Sequence, residues 1–92
     1  MYGWLYIIKN GDLCKIGITK NIDKRMSQLK PDYIISKIYS SDFKDLEKEF
    51  HKRFKSARIP QTEYFRLDQM QIKEIKQRMS QLSYPKIIVF GI

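Results

Sequence analysis

Cysteine and long apolar runs are scarce in this sequence, and each scarcity excludes a class of protein. The single cysteine, Cys14, rules out an intramolecular disulfide and is typical of a reducing compartment. No apolar run approaches the roughly 20 residues that span a bilayer, and residues 1–12 lack the basic region of a secretory signal. Neither a P-loop nor a dinucleotide-binding fingerprint is present. We therefore expect a soluble, intracellular protein, in the cytoplasm or a host-cell compartment, with no membrane partner.

Positive charge is what the sequence has in excess. Eighteen Lys and Arg residues against 10 Asp and Glu give a formal net charge of +8. Such a balance predicts a polyanionic partner, and nucleic acid is the commonest one. The alternative is a merely solvated basic surface. An acidic lipid surface fits less well, because no segment combines a strongly basic helix face with a bulky apolar one.

Hydrophobic periodicity predicts one α+β domain over residues 1–92. Strands are expected at residues 3–9, 13–18 and 33–39, the first two joined by a tight turn at Asn10–Gly11–Asp12. Helices are expected at residues 22–30, from Ser41 onward, and after the capping-box pair Asp68 and Gln71. The order β-β-α-β-α-α indicates a small three-stranded antiparallel sheet flanked by helices. The apolar residues 86–92 have two interpretations, a fourth strand or a dimer contact.

Several polar side chains border the predicted core, and each has two interpretations. Arg25 lies beside an apolar helix stripe, where it either covers apolar surface with its stem or clamps a phosphate. Glu47 and His51 are four residues apart on one helix face, as a surface pair or as a carboxylate for a divalent cation with an imidazole for proton transfer. The position of Tyr6 on a strand favours ordinary sheet packing, and Gly17 indicates a bulge or a close backbone approach.

The order of these motifs resembles the GIY-YIG nuclease superfamily, closest to its phage, mobile-element and large-DNA-virus branch. The chain reads "YII", then "KIGIT", then Arg25 ten residues beyond Lys15, then "LEKEFHKRF" and "EYF". The resemblance covers residues 4–67. It implies a GIY-YIG-like fold and metal-dependent endonuclease activity on DNA with one Mg2+ or Mn2+ ion. A catalytically inactive nucleic-acid-binding module of the same fold is the alternative.

The resemblance also implies a role for individual residues. Glu47 would bind the metal, Arg25 would stabilise the scissile phosphate, Tyr6 would position or deprotonate water, and His51 would assist. The remaining cleft candidates are Gly17 and Glu63, and DNA contacts are expected from Lys20, Arg25, Lys55 and Arg58.

Lys15 is the main departure from the superfamily pattern, because it occupies a position that holds a tyrosine there. An ordinary lysine is protonated at pH 7 and cannot replace a tyrosine taken as the general base. It would then bind phosphate, which leaves Tyr6, His51 or a metal-bound water as the base. We expect no separate specificity module within these 92 residues. The alternatives are then weak specificity, a DNA-binding partner protein or a homodimer.

Overall fold

Four strands form a single antiparallel sheet in the computed structural model, which describes residues 1–82. They are β1 (Gly3–Asn10), β2 (Leu13–Thr19), β3 (Tyr33–Ser40) and β4 (Tyr64–Phe65), in the spatial order β3-β1-β2-β4. The β1–β2 hairpin turns at Gly11, whose φ of 58° is readily adopted by glycine. The predicted α+β class is confirmed. The sheet has one strand more than expected. This strand, β4, has only two residues, which is too few for the alternating pattern of a strand to show in the sequence. The predicted strand or dimer contact at residues 86–92 lies outside the described residues.

Three helices pack on the sheet: α1 (Ile22–Leu29), α2 (Phe43–Arg53) and α3 (Gln69–Leu82), with a 3-10 turn at Lys55–Ala57. The Asn21 side chain accepts a hydrogen bond from the amide of Lys24 at 3.0 Å, as predicted for the cap of α1. Asp68 and Gln71 exchange hydrogen bonds of 2.9 and 2.8 Å, which confirms the capping box of α3. Helix α2 begins at Phe43, two positions after the expected Ser41.

The apolar side chains divide between the two faces of the sheet. Helices α2 and α3 cover the larger core, whose buried residues include Leu5, Ile7, Ile16, Phe50 and Ile75. Helix α1 covers a smaller cluster of Tyr6, Ile8 and Ile22, against which Trp4, Met26 and Leu29 pack. Alternate residues of β1 therefore serve different cores, as a period of two requires. We call these two sides the α2–α3 face and the α1 face.

Among residues 1–82, no helix has both the length and the apolar character that crossing a membrane requires.

Candidate functional site

The outer edge of β2 is where the two faces of the sheet meet. Strand β4 pairs only with Cys14 and Lys15, so it covers only part of this edge. Just beyond that pairing, the amide of Ile16 donates to the carbonyl of Glu63 at 3.3 Å, and the carbonyl of Ile16 accepts from His51 Nε2 at 2.9 Å. A loop residue and a helix residue are thus held at the same point of the strand. Polar side chains from both faces can reach each other around this edge.

Gly17 brings Tyr6 to the same edge. The two residues are register partners in the β1–β2 hairpin. A Cβ built on Gly17 would lie 2.5 Å from the Tyr6 hydroxyl oxygen, so only glycine leaves room for the phenol. The predicted close approach at Gly17 is therefore confirmed, and the approaching group is a tyrosine side chain. The irregularity in strand pairing lies elsewhere, between Ile7 and Ile8 in the β1–β3 register.

Glu47 places a carboxylate at the site from α2. Its Oε2 atom is buried and has no hydrogen-bond partner among the described residues. Burial raises the pKa of this carboxyl, and the negative charge of Glu63 raises it further, while His51 and Lys15 oppose the rise. A buried carboxylate oxygen that lacks a hydrogen bond is costly, so this position calls for a proton or a cation.

His51 is oriented by two contacts. Because a backbone carbonyl can only accept, Nε2 must carry the hydrogen that it donates to Ile16. The imidazole also stands edge-on to the Phe65 ring, with 4.9 Å between centroids. Nε2 lies 4.0 Å from Glu47 Oε2, beyond hydrogen-bond length. The ring is therefore fixed in position, and only Nδ1 has a lone pair to offer.

Lys15 forms an ion pair with Glu63, with 2.8 Å between Nζ and Oε1. The lysine side chain is 12% exposed and its ammonium lies 5.1 Å from the centre of the Tyr64 ring, while the carboxylate is 47% exposed. The pair needs the ammonium form of lysine, which cannot accept a proton. Lys15 is thus a positive charge at the site.

Arg25 on α1 completes the positive side of the cluster. Burial raises the pKa of Tyr6, and the charge of Arg25 is the largest effect that lowers it, against smaller increases from Glu63 and Glu47. Tyr6 is only 1% exposed, so its hydroxyl is neutral at pH 7 and acts as a hydrogen-bond donor or acceptor. Arg25 is half-buried, which is compatible with both a packed stem and a charged end at the site.

The structure therefore gathers most of the predicted site residues at one place: Tyr6, Lys15, Gly17, Arg25, Glu47, His51 and Glu63. The other three residues predicted to contact DNA lie outside this cluster. Lys20 lies beyond β2 with its ammonium 5.5 Å from the centre of the Phe43 ring. Lys55 is exposed in the 3-10 turn, and the Arg58 guanidinium donates to the carbonyl of Thr62. Arg58 thus holds the loop that carries Glu63.

Sequence reasoning missed the groups that orient the site. His51 is oriented by the Ile16 carbonyl and the Phe65 ring, and Lys15 lies over the Tyr64 ring. These three groups belong to short stretches whose side chains are apolar or neutral. Period-two alternation along β2 could have indicated that Lys15 and Gly17 share the face of Tyr6. The contact of a backbone carbonyl with a histidine 35 residues away leaves no local signal.

Comparison with known proteins corrects the family expected from the short motifs. A family model described as the T5orf172 domain matches residues 3–86, whereas no curated protein and no solved structure matches the chain. The expected membership of the GIY-YIG nuclease superfamily is wrong, because the matching family is a different one. The short motifs that resemble the GIY-YIG superfamily occupy a minority of the residues, whereas the family model is matched over residues 3–86. Because the match extends over nearly the whole chain, this protein belongs to the T5orf172 domain family.

Proposed function

We propose that this protein is a divalent-metal-dependent endonuclease that hydrolyses phosphodiester bonds in nucleic acid, with DNA as the first substrate to test. The observation that carries the proposal is the buried Glu47 oxygen, which has no hydrogen-bond partner within residues 1–82 and lies beside Lys15 and His51. A basic protein that only binds a polyanion gains nothing from a carboxylate at its positive site. A cation between carboxylate and phosphate would turn that repulsion into attraction.

The donor set fits a hydrated magnesium or manganese ion. Magnesium is usually held by one or two carboxylates, with waters and substrate phosphate as its other ligands. Within residues 1–82, no group of three or more His, Cys, Asp or Glu side chains converges as a closed zinc site would require. Glu47 would hold the ion, with Glu63 as the nearest second carboxylate. When bound, the ion supplies Lewis-acid polarisation of the phosphate.

The surrounding side chains would bind and orient the substrate. Arg25 presents planar paired donors that match phosphate oxygens, and its fixed charge would stabilise the charge that develops during hydrolysis. Lys15 would add a second positive charge once phosphate competes with Glu63 for the ammonium. Tyr6, kept neutral by burial, would position the attacking water through a hydrogen bond, since its raised pKa disfavours the phenolate.

His51 would receive the proton from the attacking water. Its Nε2 is committed to the carbonyl of Ile16, so Nδ1 is the nitrogen with a lone pair. The same contact holds the ring in one orientation, as a general base requires. Of the bases considered, Tyr6 is disfavoured by its raised pKa and Lys15 by its ion pair with Glu63.

A nicking assay tests the proposal. Supercoiled plasmid is incubated with the protein, with and without Mg2+ or Mn2+, at low salt because phosphate contacts weaken as salt rises. We expect nicking that requires the metal and that falls at least about 100-fold in Glu47→Gln, the size of effect seen when one charge-stabilising group is lost. A single site of this kind would cut one strand per binding event.

Glu49→Gln is the matched control, because Glu49 lies on the same helix but pairs with Arg78 on the surface. This variant should nick like the wild type. Nicking that survives Glu47→Gln, or that needs no metal, would contradict the proposal. A parallel assay with single-stranded RNA shows whether the substrate class is wider than DNA.

A nucleic-acid-binding module without turnover is the second candidate. It is favoured by the state of two groups that could otherwise move a proton: Tyr6 is held neutral, and Lys15 is paired with Glu63. Retardation of DNA with no cleavage under any metal condition would support this reading over the endonuclease.

A further inference from the structure

Three aromatic side chains form a platform on the sheet at the N-terminal end of β1. Trp4 and Tyr39 are register partners whose ring centroids are 5.1 Å apart, and Tyr2 stacks on Tyr39 at 5.4 Å with 23° between ring planes. Lys37 places its ammonium 5.5 Å from the centre of the Trp4 ring. We call Tyr2, Trp4, Tyr39 and the adjacent Lys37 the aromatic platform.

The aromatic platform lies on the α1 face, beside the candidate site. Trp4 is two residues from Tyr6 on β1, and alternation puts both side chains on the same face, about 7 Å apart along the strand. Lys37 is the register partner of Tyr6 on β3. Helix α1 covers Tyr6, but Tyr2 and Tyr39 remain 55% and 50% exposed.

Exposed, stacked aromatic rings with a cation beside them are well suited to binding nucleic-acid bases. Nucleic-acid bases stack on aromatic rings wherever they are not already stacked within a duplex, and sheet faces that carry aromatic residues are a recurring platform for this. The net charge of +8 is complementary to a phosphate backbone. Tyr2 and Tyr39 are half-exposed, whereas the larger core lies on the opposite face of the sheet.

We propose that the aromatic platform stacks the unpaired bases of a single-stranded segment whose backbone passes Tyr6 and Arg25. This inference rests on the proposed function and narrows its substrate class to single-stranded or locally unpaired nucleic acid. The phosphate groups would contact Lys37 and Arg25, while the rings of Tyr39 and Tyr2 contact bases. Specificity for sequence is not expected, because every base has a π-face.

Binding without cleavage provides the test, so metal is removed with EDTA. The probes are a short labelled single-stranded DNA, the same sequence as a duplex, and a single strand that contains 2-aminopurine. The wild type should bind the single strand more tightly than the duplex and should quench 2-aminopurine fluorescence on binding. Tyr39→Thr, which keeps a strand-forming residue, should weaken single-strand binding by roughly 5- to 100-fold and abolish the quenching.

Tyr33→Thr is the matched control. Tyr33 is on the same strand and is 56% exposed, but its partner Lys9 places it on the α2–α3 face. Equal effects of Tyr33→Thr and Tyr39→Thr, or equal affinity of the wild type for single strand and duplex, would overturn the inference. The inference would also be overturned if Tyr39→Thr altered the oligomeric state seen by sedimentation and left nucleic-acid binding unchanged. The surface would then join two copies of the protein along the β3 edge.

The two proposals fail in different ways. Stacking in EDTA together with no cleavage in any metal would remove the endonuclease and keep the platform. Metal-dependent nicking with undiminished activity in Tyr39→Thr, and no 2-aminopurine quenching, would remove the platform and keep the endonuclease.

Discussion

Glu47 has a buried carboxylate oxygen that lacks a hydrogen-bond partner among residues 1–82. Burial raises its pKa, and the carboxylate of Glu63 adds to the rise. The folded protein therefore holds a proton on this group more tightly than the unfolded chain does. Above the ordinary pKa of a glutamate, ionisation of Glu47 lowers the free energy of unfolding, and the loss grows until pH passes the raised pKa.

Glu47→Gln should consequently raise the melting temperature of the metal-free protein at pH 7. At a pH below the ordinary pKa of glutamate, both folded and unfolded states of the wild type are protonated, so the difference between variant and wild type should disappear. Each kcal/mol regained would raise the melting temperature by about 4–8 °C in a domain of this size. Thermal denaturation followed by circular dichroism over a pH series checks this.

Glu49→Gln serves as the control for that series, because it removes an exposed ion pair and should leave the melting temperature nearly unchanged. A variant at Glu47 that melts lower than the wild type at pH 7 would show that attraction to His51 and Lys15 outweighs the cost of burial, which would contradict the raised pKa. Gain of stability with loss of nicking would mark Glu47 as a residue kept for function.

Helix α1 depends on one cap and carries one side chain of the site. Its length is only eight residues, so tertiary packing and the Asn21 cap hold it rather than helix propensity. Arg25 lies in its first turns, and the amide of Arg25 donates to the carbonyl of Asn21 at 3.1 Å. Fraying of this end would therefore move Arg25 away from Tyr6.

Asn21→Ala and Asp68→Ala form a matched pair that tests this dependence. Each removes a side-chain cap, and each should lower the free energy of unfolding by about 1 kcal/mol. Only Asn21→Ala should also weaken nucleic-acid binding and nicking, because α3 carries none of the gathered site residues. Equal loss of activity in the two variants, at equal stability, would mean that activity follows stability alone. Chemical denaturation and the nicking assay together separate these outcomes.

The helices and the hairpin could be predicted because their signals are local. Asn21 caps α1, Asp68 and Gln71 cap α3, and Gly11 turns the hairpin, each through residues within a few positions of one another. Strand β4 has only two residues, so its place in the sheet depends on partners far along the chain. The pattern of the sequence therefore predicted an α+β fold but one strand too few.

The site was predictable in its membership more than in its geometry. Gly17 was recognised as a place of close approach, yet the approaching Tyr6 hydroxyl follows only from strand register. Lys15 and Glu63 are 48 residues apart, and no local pattern indicates that they pair. The sequence predicted Lys15 as a positive charge that binds phosphate, but it could not identify the carboxylate that pairs with it.

Exposed basic side chains lie on both faces of the protein. Two of the ion pairs found in residues 1–82 link α2 to α3: Arg53 with Glu74 and Arg78 with Glu49. They offset positive charge on the side away from α1. Exposed lysines at both ends of α1, Lys24 and Lys30, lie on the side that carries Arg25 and the aromatic platform. Exposed lysines also lie on α3, among them Lys73 and Lys76, so the position of the candidate site and of the aromatic platform is what leads us to expect nucleic acid on the α1 face.

Two double variants with the same change in net charge test this expectation. Lys24→Gln with Lys30→Gln changes α1, and Lys73→Gln with Lys76→Gln changes exposed positions of α3. If both α1 lysines contact phosphates, the slope of log K against log salt should fall by about 1.4–1.8 in the first variant, since each contact contributes roughly 0.7 for a single strand and 0.9 for a duplex. The α3 variant should keep the wild-type slope, because its lysines would act only through net charge. Equal slopes in the two variants, measured by anisotropy titrations at several salt concentrations, would show that binding is not localised to the α1 face. A reduced slope in the α3 variant alone would place the nucleic acid on the opposite side of the sheet and would contradict the path past Arg25.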